Sequence, residues 1–186
     1  MIGYAFSGSH CSLSAALEPF AALCASGREI QPIFSDSVYR TNTRFWTAED
    51  FRARVEAICG RTVVYTIVAA EPFGPTAPLE ALIIAPCTGN TLAKLAHGIT
   101  DTAVCMAAKA HLRCDRPLVI ALASNDAMSA NLENIAALLK RKSVYFVPLR
   151  QDDPQKKPHS LVADFSRIPE ALEAALAGHQ LRPLFL

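Results

Sequence analysis

Two short runs constrain the fold of this chain more than anything else in it. Leu118–Ala123 is apolar at every position, and Leu79–Ala85 is apolar but for Glu80. A strand of this kind has no face to show to water. It belongs inside a sheet covered on both sides, the usual setting of parallel strands. Around the two runs, short β-branched stretches alternate with segments of helical period. Ile2–Phe6, Glu29–Phe34 and Val144–Val147 read as further strands, and Thr62–Ile67 as a weaker one. Leu13 to Cys24 sets Leu13, Ala16, Leu17, Phe20 and Leu23 on one helical face and closes at Gly27. Thr47 caps a helix that carries Phe51, Val55 and Ile58 and stops at Gly60. Thr91–Ala96, Thr102–Lys109, Leu132–Leu139 and Pro169–Ala177 read as helices as well. Strands alternating with helices predict an α/β fold. The expected form is a three-layer α/β/α sandwich around a mainly parallel sheet of the Rossmann or flavodoxin type.

No repeat, low-complexity tract or dividing linker interrupts the pattern, so residues 1–186 are expected to form a single domain. The polar, proline-bearing stretch from Arg150 to Pro158 reads as a long loop within it. Apolar residues make up 51% and charged residues 19%. That balance is richer in apolar surface than usual, which points to contacts between copies in a homo-oligomer. A net charge of +1 supplies no field for nucleic acid or a membrane surface. The basic run Lys140-Arg141-Lys142 follows a helix end, where cations complement the dipole and face water. No stretch approaches the ~18 apolar residues of a membrane span. Cys11, Cys24, Cys59, Cys87, Cys105 and Cys114 form no close pair of the zinc or redox kind, and no secretory leader is evident. The expectation is a reducing cytoplasm with free thiols that mostly pack as small apolar groups.

In open parallel sheets, ligands bind beyond the carboxyl ends of the strands. Four predicted loops lie there. Ser7-Gly8-Ser9-His10-Cys11-Ser12 offers backbone N–H groups and hydroxyls ahead of a helix, a setting that suits an anion. Pro86-Cys87-Thr88-Gly89-Asn90-Thr91 is a second such loop, and its small hydroxyl and amide residues also suit a plain helix cap. Ser124-Asn125-Asp126-Ala127-Met128 reads either as an Asx turn or as a polar pair aimed at a planar ligand. Ser35-Asp36-Ser37-Val38-Tyr39 is the fourth. No catalytic triad order or metal spacing stands out. His10 is the one histidine in a ligand loop; His97, His111, His159 and His179 read as surface residues.

The stretch Ala85-Pro86-Cys87-Thr88-Gly89-Asn90-Thr91-Leu92-Ala93-Lys94-Leu95-Ala96 resembles the A-P-x-S-A-N-T-x-A-K-x-A signature of the flavoprotein family. That family includes flavin-dependent cysteine decarboxylases and flavin prenyltransferases. Gly98 and Asp101 extend the likeness, and Ala121-Leu122-Ala123-Ser124-Asn125 is similar to the segment ending in A-P-A-M-N. Three departures are visible. Glu71–Thr76 holds no histidine where the decarboxylases carry a catalytic one, Ser124 replaces a methionine, and Gly89 replaces an alanine. With Gly8-Ser9-His10-Cys11, Glu71-Pro72-Phe73-Gly74-Pro75, Gln151-Asp152-Asp153-Pro154, Lys157-Pro158 and Ser160-Leu161-Val162-Ala163-Asp164, they resemble one branch of the family. Its members form one subunit of a two-subunit synthase of spore-forming bacteria.

The resemblance implies an oxidoreductase subunit that helps to form pyridine-2,6-dicarboxylate from 4-hydroxytetrahydrodipicolinate during sporulation, in the cytoplasm of the mother cell. The implied partner is an A subunit that looks like a dinucleotide-binding protein. FMN is the implied cofactor, with phosphate binding alone, or NAD(P) held by the A subunit, as the alternatives. Gly8, Ser9, Ser35, Thr88, Gly89, Asn90 and Thr91 are the expected cofactor-binding residues, with the phosphate between the two glycine-bearing loops and Ser35 by the ribityl chain. Asn125 is expected to meet substrate or flavin, and His10 to serve as acid or base. Lys109, Arg44 and Lys157 are the candidates for the substrate carboxylates. Homo-oligomers built on trimers, including dodecamers, are implied in the same way. The rival readings are an FMN-binding decarboxylase or prenyltransferase acting alone, and a non-catalytic substrate-binding subunit.

Overall fold

The computed structural model describes all residues, Met1–Leu186. Five parallel strands, β1 (Ile2–Phe6), β2 (Ile30–Phe34), β3 (Leu82–Thr88), β4 (Leu118–Ser124) and β5 (Val144–Phe146), lie in the order β2-β1-β3-β4-β5. That is the flavodoxin-like doubly wound order, with its switch between β1 and β3. Two more strands, β6 (Leu149–Gln151) and β7 (Leu161–Ala163), form an antiparallel hairpin. β5 pairs with the first half of β4 through Leu118↔Val144, and β7 pairs with its end through Ala123↔Val162. The hairpin therefore stands at the carboxyl edge of the sheet, where ligands bind.

There are eight α-helices, α1 (Leu13–Ala25), α2 (Asp36–Arg40), α3 (Ala48–Cys59), α4 (Ile67–Ala70), α5 (Gly89–His97), α6 (Ala103–Leu112), α7 (Leu132–Leu139) and α8 (Ile168–Leu176), and three single 3-10 turns at His10–Ser12, Glu71–Phe73 and Phe165–Arg167. The threonines Thr47, Thr66, Thr88 and Thr102 start four of them, each accepting a hydrogen bond from the N–H three residues on. This is the reason for the helix starts, since a cap hydroxyl satisfies a donor the first turn leaves free. The helices enclose one apolar cluster of 51 buried residues running through the sheet. On the α1 and α3 side it is aromatic: Phe6 meets Tyr4, Phe20, Phe34 and Phe51 with ring centroids 5.0–5.5 Å apart. The buried Tyr4 hydroxyl donates to Ala16 O at 2.7 Å, so its polar end costs nothing unpaired.

Several sequence expectations need correction. Thr62–Ile67 is not a strand. Only Val64 bridges to Ile33, and Thr66 then caps α4, whose helical start consumes the end of the run. β3 begins at Leu82 rather than Leu79 and passes through Pro86 to Thr88. Its register shifts between Ile84 and Cys87, which takes up the missing proline N–H. Ser35–Tyr39 is largely the short helix α2, capped by Ser35. The predicted loop from Arg150 to Pro158 begins inside β6 and forms the connection to β7. His111 is fully buried instead of exposed, because it lies on the inner face of α6.

Candidate functional site

The four predicted loops do meet at the carboxyl edge, and Ser7 holds the first two together. Its hydroxyl donates to Pro86 O at 2.8 Å and accepts from Thr88 N at 3.0 Å, bridging the irregularity in β3 with side-chain bonds. Ser7 is 1% exposed. Sequence reasoning placed it in the loop but not in this role, which needs the register of β1 against β3.

Two clefts open on either side of this tie. The first, about 460 Å³, is lined wholly by polar residues and glycine, including Gly8, Ser35, Ser37, Thr88, Asn90, Thr91 and Lys94. Thr88 caps α5 by accepting from Thr91 N at 3.1 Å and donates to Thr91 Oγ1 at 3.1 Å. Lys94 Nζ donates to both carboxylate oxygens of Asp101, at 2.8 and 2.9 Å. The ion pair keeps the Asp101 carboxyl below its usual range and explains the lysine and aspartate of the signature as a brace. Gly8 lies close against Ser37: a Cβ there would stand 2.7 Å from Ser37 Oγ, so that hydroxyl would have to turn away. Next to this cleft, and sharing Asp36, Asp101 and Thr102 with it, a smaller hollow of about 220 Å³ is walled by Tyr65, Ile67, Val68 and Ala103.

The second cleft, about 310 Å³, lies between the Ser9–Ser12 turn, the end of β4 and the hairpin. Ser9, Cys11, Ser12, Ser124, Asn125, Asp152, Lys157 and Ser160 face it. Asn125 stands exposed there, on a turn anchored from below. Ser124 Oγ and Asn131 Nδ2 both donate to Asp126 Oδ1, the latter at 2.9 Å, and Asn134 Nδ2 donates to Asn131 Oδ1 at 2.9 Å. These donors, Ser124 first, hold the Asp126 carboxyl below its usual range and so ionised.

The expected site residues therefore divide. Gly8, Ser35, Thr88, Asn90 and Thr91 line the first cleft, whereas Ser9 and Asn125 line the second. Gly89 lines neither; it is buried against Ser124 and Asn131. His10 borders neither cleft directly, and its Nε2 lies 3.0 Å from Ser37 Oγ, with burial lowering its pKa. Of the three candidate cations only Lys157 faces a cleft; Arg44 lies over the Phe45 ring. Cys87 is fully buried, and burial drives its thiol pKa up, away from reactivity. Asp152 and Ser160 were not singled out as site residues, because the hairpin that brings them in reads as a loop.

The first cleft fits the phosphate and ribityl parts of FMN: it has the Gly8 cradle, several hydroxyls and the start of α5. The adjoining hollow is mixed in character: Tyr65, Ile67, Val68 and Ala103 share its wall with Asp36, Arg40, Asp101 and two threonines.

A flavodoxin-like sheet with two glycine-bearing loops at its carboxyl edge and this signature defines a class, and the chain belongs to the flavoprotein family, whose pattern matches residues 26–168. Within that class it is similar to the B subunit of dipicolinate synthase from Bacillus subtilis (strain 168), at 40% identity over 185 residues, spanning 100% of this chain and 92% of that protein. The crystal structure of the dipicolinate synthase B subunit from Bacillus halodurans C superposes with a TM-score of 0.92 at 39% identity, covering 100% of this chain and 95% of that one. A dodecameric FMN-dependent UbiX-like decarboxylase from Escherichia coli O157:H7 shares the fold, with a TM-score of 0.62, 23% identity and 80% of each chain covered.

Proposed function

We propose that this chain acts as the B subunit of a dipicolinate synthase, an oxidoreductase that forms pyridine-2,6-dicarboxylate from 4-hydroxytetrahydrodipicolinate with a dinucleotide-binding A subunit. The observation that carries the reading is that the likeness to the B subunits runs the whole length of the chain. It includes the hairpin and the Asn125 turn as well as the flavin-type loops. The chain is taken as one domain, working as a trimer-based homo-oligomer in the mother-cell cytoplasm of a sporulating bacterium.

FMN is assigned to the first cleft. Gly8, Thr88, Asn90 and Thr91 would hold its phosphate, with Gly89 letting α5 begin there, Ser9 shaping the turn and Ser35 beside the ribityl chain. The precursor loses one water, from its 4-hydroxyl, and two hydrogens; the flavin, when bound, would supply an acceptor for the two hydrogens, and a nicotinamide on the A subunit is the alternative acceptor. Asn125 is assigned to the substrate, since its amide both donates and accepts. His10, held neutral by a lowered pKa, can take a proton, with Ser37 Oγ at 3.0 Å linking it to the cofactor cleft.

The test is dipicolinate formation from freshly generated 4-hydroxytetrahydrodipicolinate, with and without the A subunit, each with and without FMN. Product only when both proteins are present supports the synthase reading, and a dependence on FMN locates the electron acceptor on this chain. An equal rate from the A subunit alone removes the catalytic role and leaves a substrate-binding subunit.

A further inference from the structure

We infer that the second cleft is the carboxylate-recognition site, and that Lys157 binds one carboxylate of the substrate by exchanging it for Asp152. The inference rests on the reading of this chain as a subunit that handles a pyridine dicarboxylate. Lys157 is the sole cation facing this cleft, and its ammonium is occupied by the Asp152 carboxylate, five residues away on the same hairpin. Both side chains are half exposed, at 49% and 41%. An ion pair so open to water adds little stability, so replacing one carboxylate by another costs little. Asp152 then acts as a built-in occupant that keeps Lys157 paired until a substrate carboxylate arrives.

The rest of the cleft suits such a ligand. Asn125 and Ser160 line it, and Ser160 is only 3% exposed. Ser160 N donates to Lys157 O at 3.0 Å, so the turn that carries the cation is fixed to the residue beside it. A volume of about 310 Å³ admits one ring with two carboxyl groups, and the cleft shares Cys11, Ser12, Asp152 and Val162 with a further hollow of about 490 Å³ along α1.

Two roles for the Lys157–Asp152 pair make opposite forecasts. If it only staples the hairpin, removing either partner has the same effect. If Asp152 competes with substrate, the two removals have opposite signs. The experiment is calorimetric titration of the full-length protein with pyridine-2,6-dicarboxylate in metal-free buffer, for wild type, Lys157→Gln, Lys157→Arg, Asp152→Asn and the Lys157→Gln/Asp152→Asn double variant. The expected result is binding weakened about tenfold or more by Lys157→Gln, the scale of one charge-assisted hydrogen bond. Lys157→Arg retains most of the affinity, Asp152→Asn binds several-fold tighter than wild type, and the double variant matches Lys157→Gln. Lysine and aspartate variants that weaken binding alike, or dicarboxylate binding unchanged in Lys157→Gln, overturn the assignment while the synthase reading stands. A wild-type protein that binds no dicarboxylate, and does not raise product formation by the A subunit, overturns both.

Discussion

Gly89 and Ser124 show how two departures from a family pattern can be a single adjustment. A Cβ at Gly89 would stand 2.5 Å from Ser124 Oγ, 2.6 Å from Asn131 Nδ2 and 3.0 Å from Asp126 Oδ1. None of these atoms is free to retreat, because all three belong to the hydrogen-bonded group beneath Asn125. Alanine at 89 is therefore expected to destabilise the fold by about 1–3 kcal/mol, the usual cost of overpacking a tight interior, and to weaken substrate binding through the displaced turn. Thermal unfolding of Gly89→Ala measures the first effect. Adding Ser124→Gly should restore part of the loss, since it removes the nearest clash and leaves those with Asn131 and Asp126, and sites in contact are not additive. Equal losses with and without Ser124→Gly would place the strain elsewhere. Both substitutions relative to the signature are visible in the sequence. That they touch is not, because they lie 35 residues apart and meet only when β3 and β4 pair through Thr88↔Ala123.

At the scale of elements, legibility followed the strength of local signals. α7 and β1 fall where periodicity puts them, and α3 starts and stops at its threonine cap and at Gly60, whose φ is +68°. What escaped is whatever depends on partners distant in sequence. β6 and β7 are three-residue strands whose pairing with each other and with the end of β4 defines them, and their shortness, with a polar connection between them, hides them. α6 gives the same lesson through His111. A carbonyl can only accept, so His111 Nε2 donates to Pro117 O at 2.9 Å, and Nδ1 is left buried with no partner. Burial, with Arg116 nearby, lowers the pKa from its ordinary 6.5. The folded chain thus favours neutral His111, while the unfolded chain takes up a proton near pH 6.5. Stability from this group is complete above pH 6.5 and falls as pH drops towards the lowered folded value. Denaturant unfolding of wild type and His111→Gln across pH 5–8 should show the wild type losing stability more steeply on acidification. Parallel curves would assign the acid sensitivity to other groups.

Across the whole molecule, one sheet edge carries two clefts, and the β1–β3 switch separates them. On one side are Gly8, the α5 start and the Lys94–Asp101 brace, next to a hollow of mixed polar and apolar lining. On the other are a cation with an exchangeable partner and a ring of hydroxyls. The Ser7 tie fixes the wall between them through the backbone of Pro86 and Thr88, so each cleft should respond to its own substitutions. Gly8→Val forces side-chain atoms into Ser37 and is expected to weaken FMN binding about tenfold or more, read as loss of flavin fluorescence quenching. The same variant should bind pyridine-2,6-dicarboxylate with wild-type affinity, because Ser9, Ser124, Asn125 and Lys157 lie on the far side of the tie. A Gly8→Val protein with unaltered unfolding that lost both ligands would mean that the two clefts are one continuous site. The division of labour between cofactor and substrate would then have to be drawn along a different boundary than Ser7.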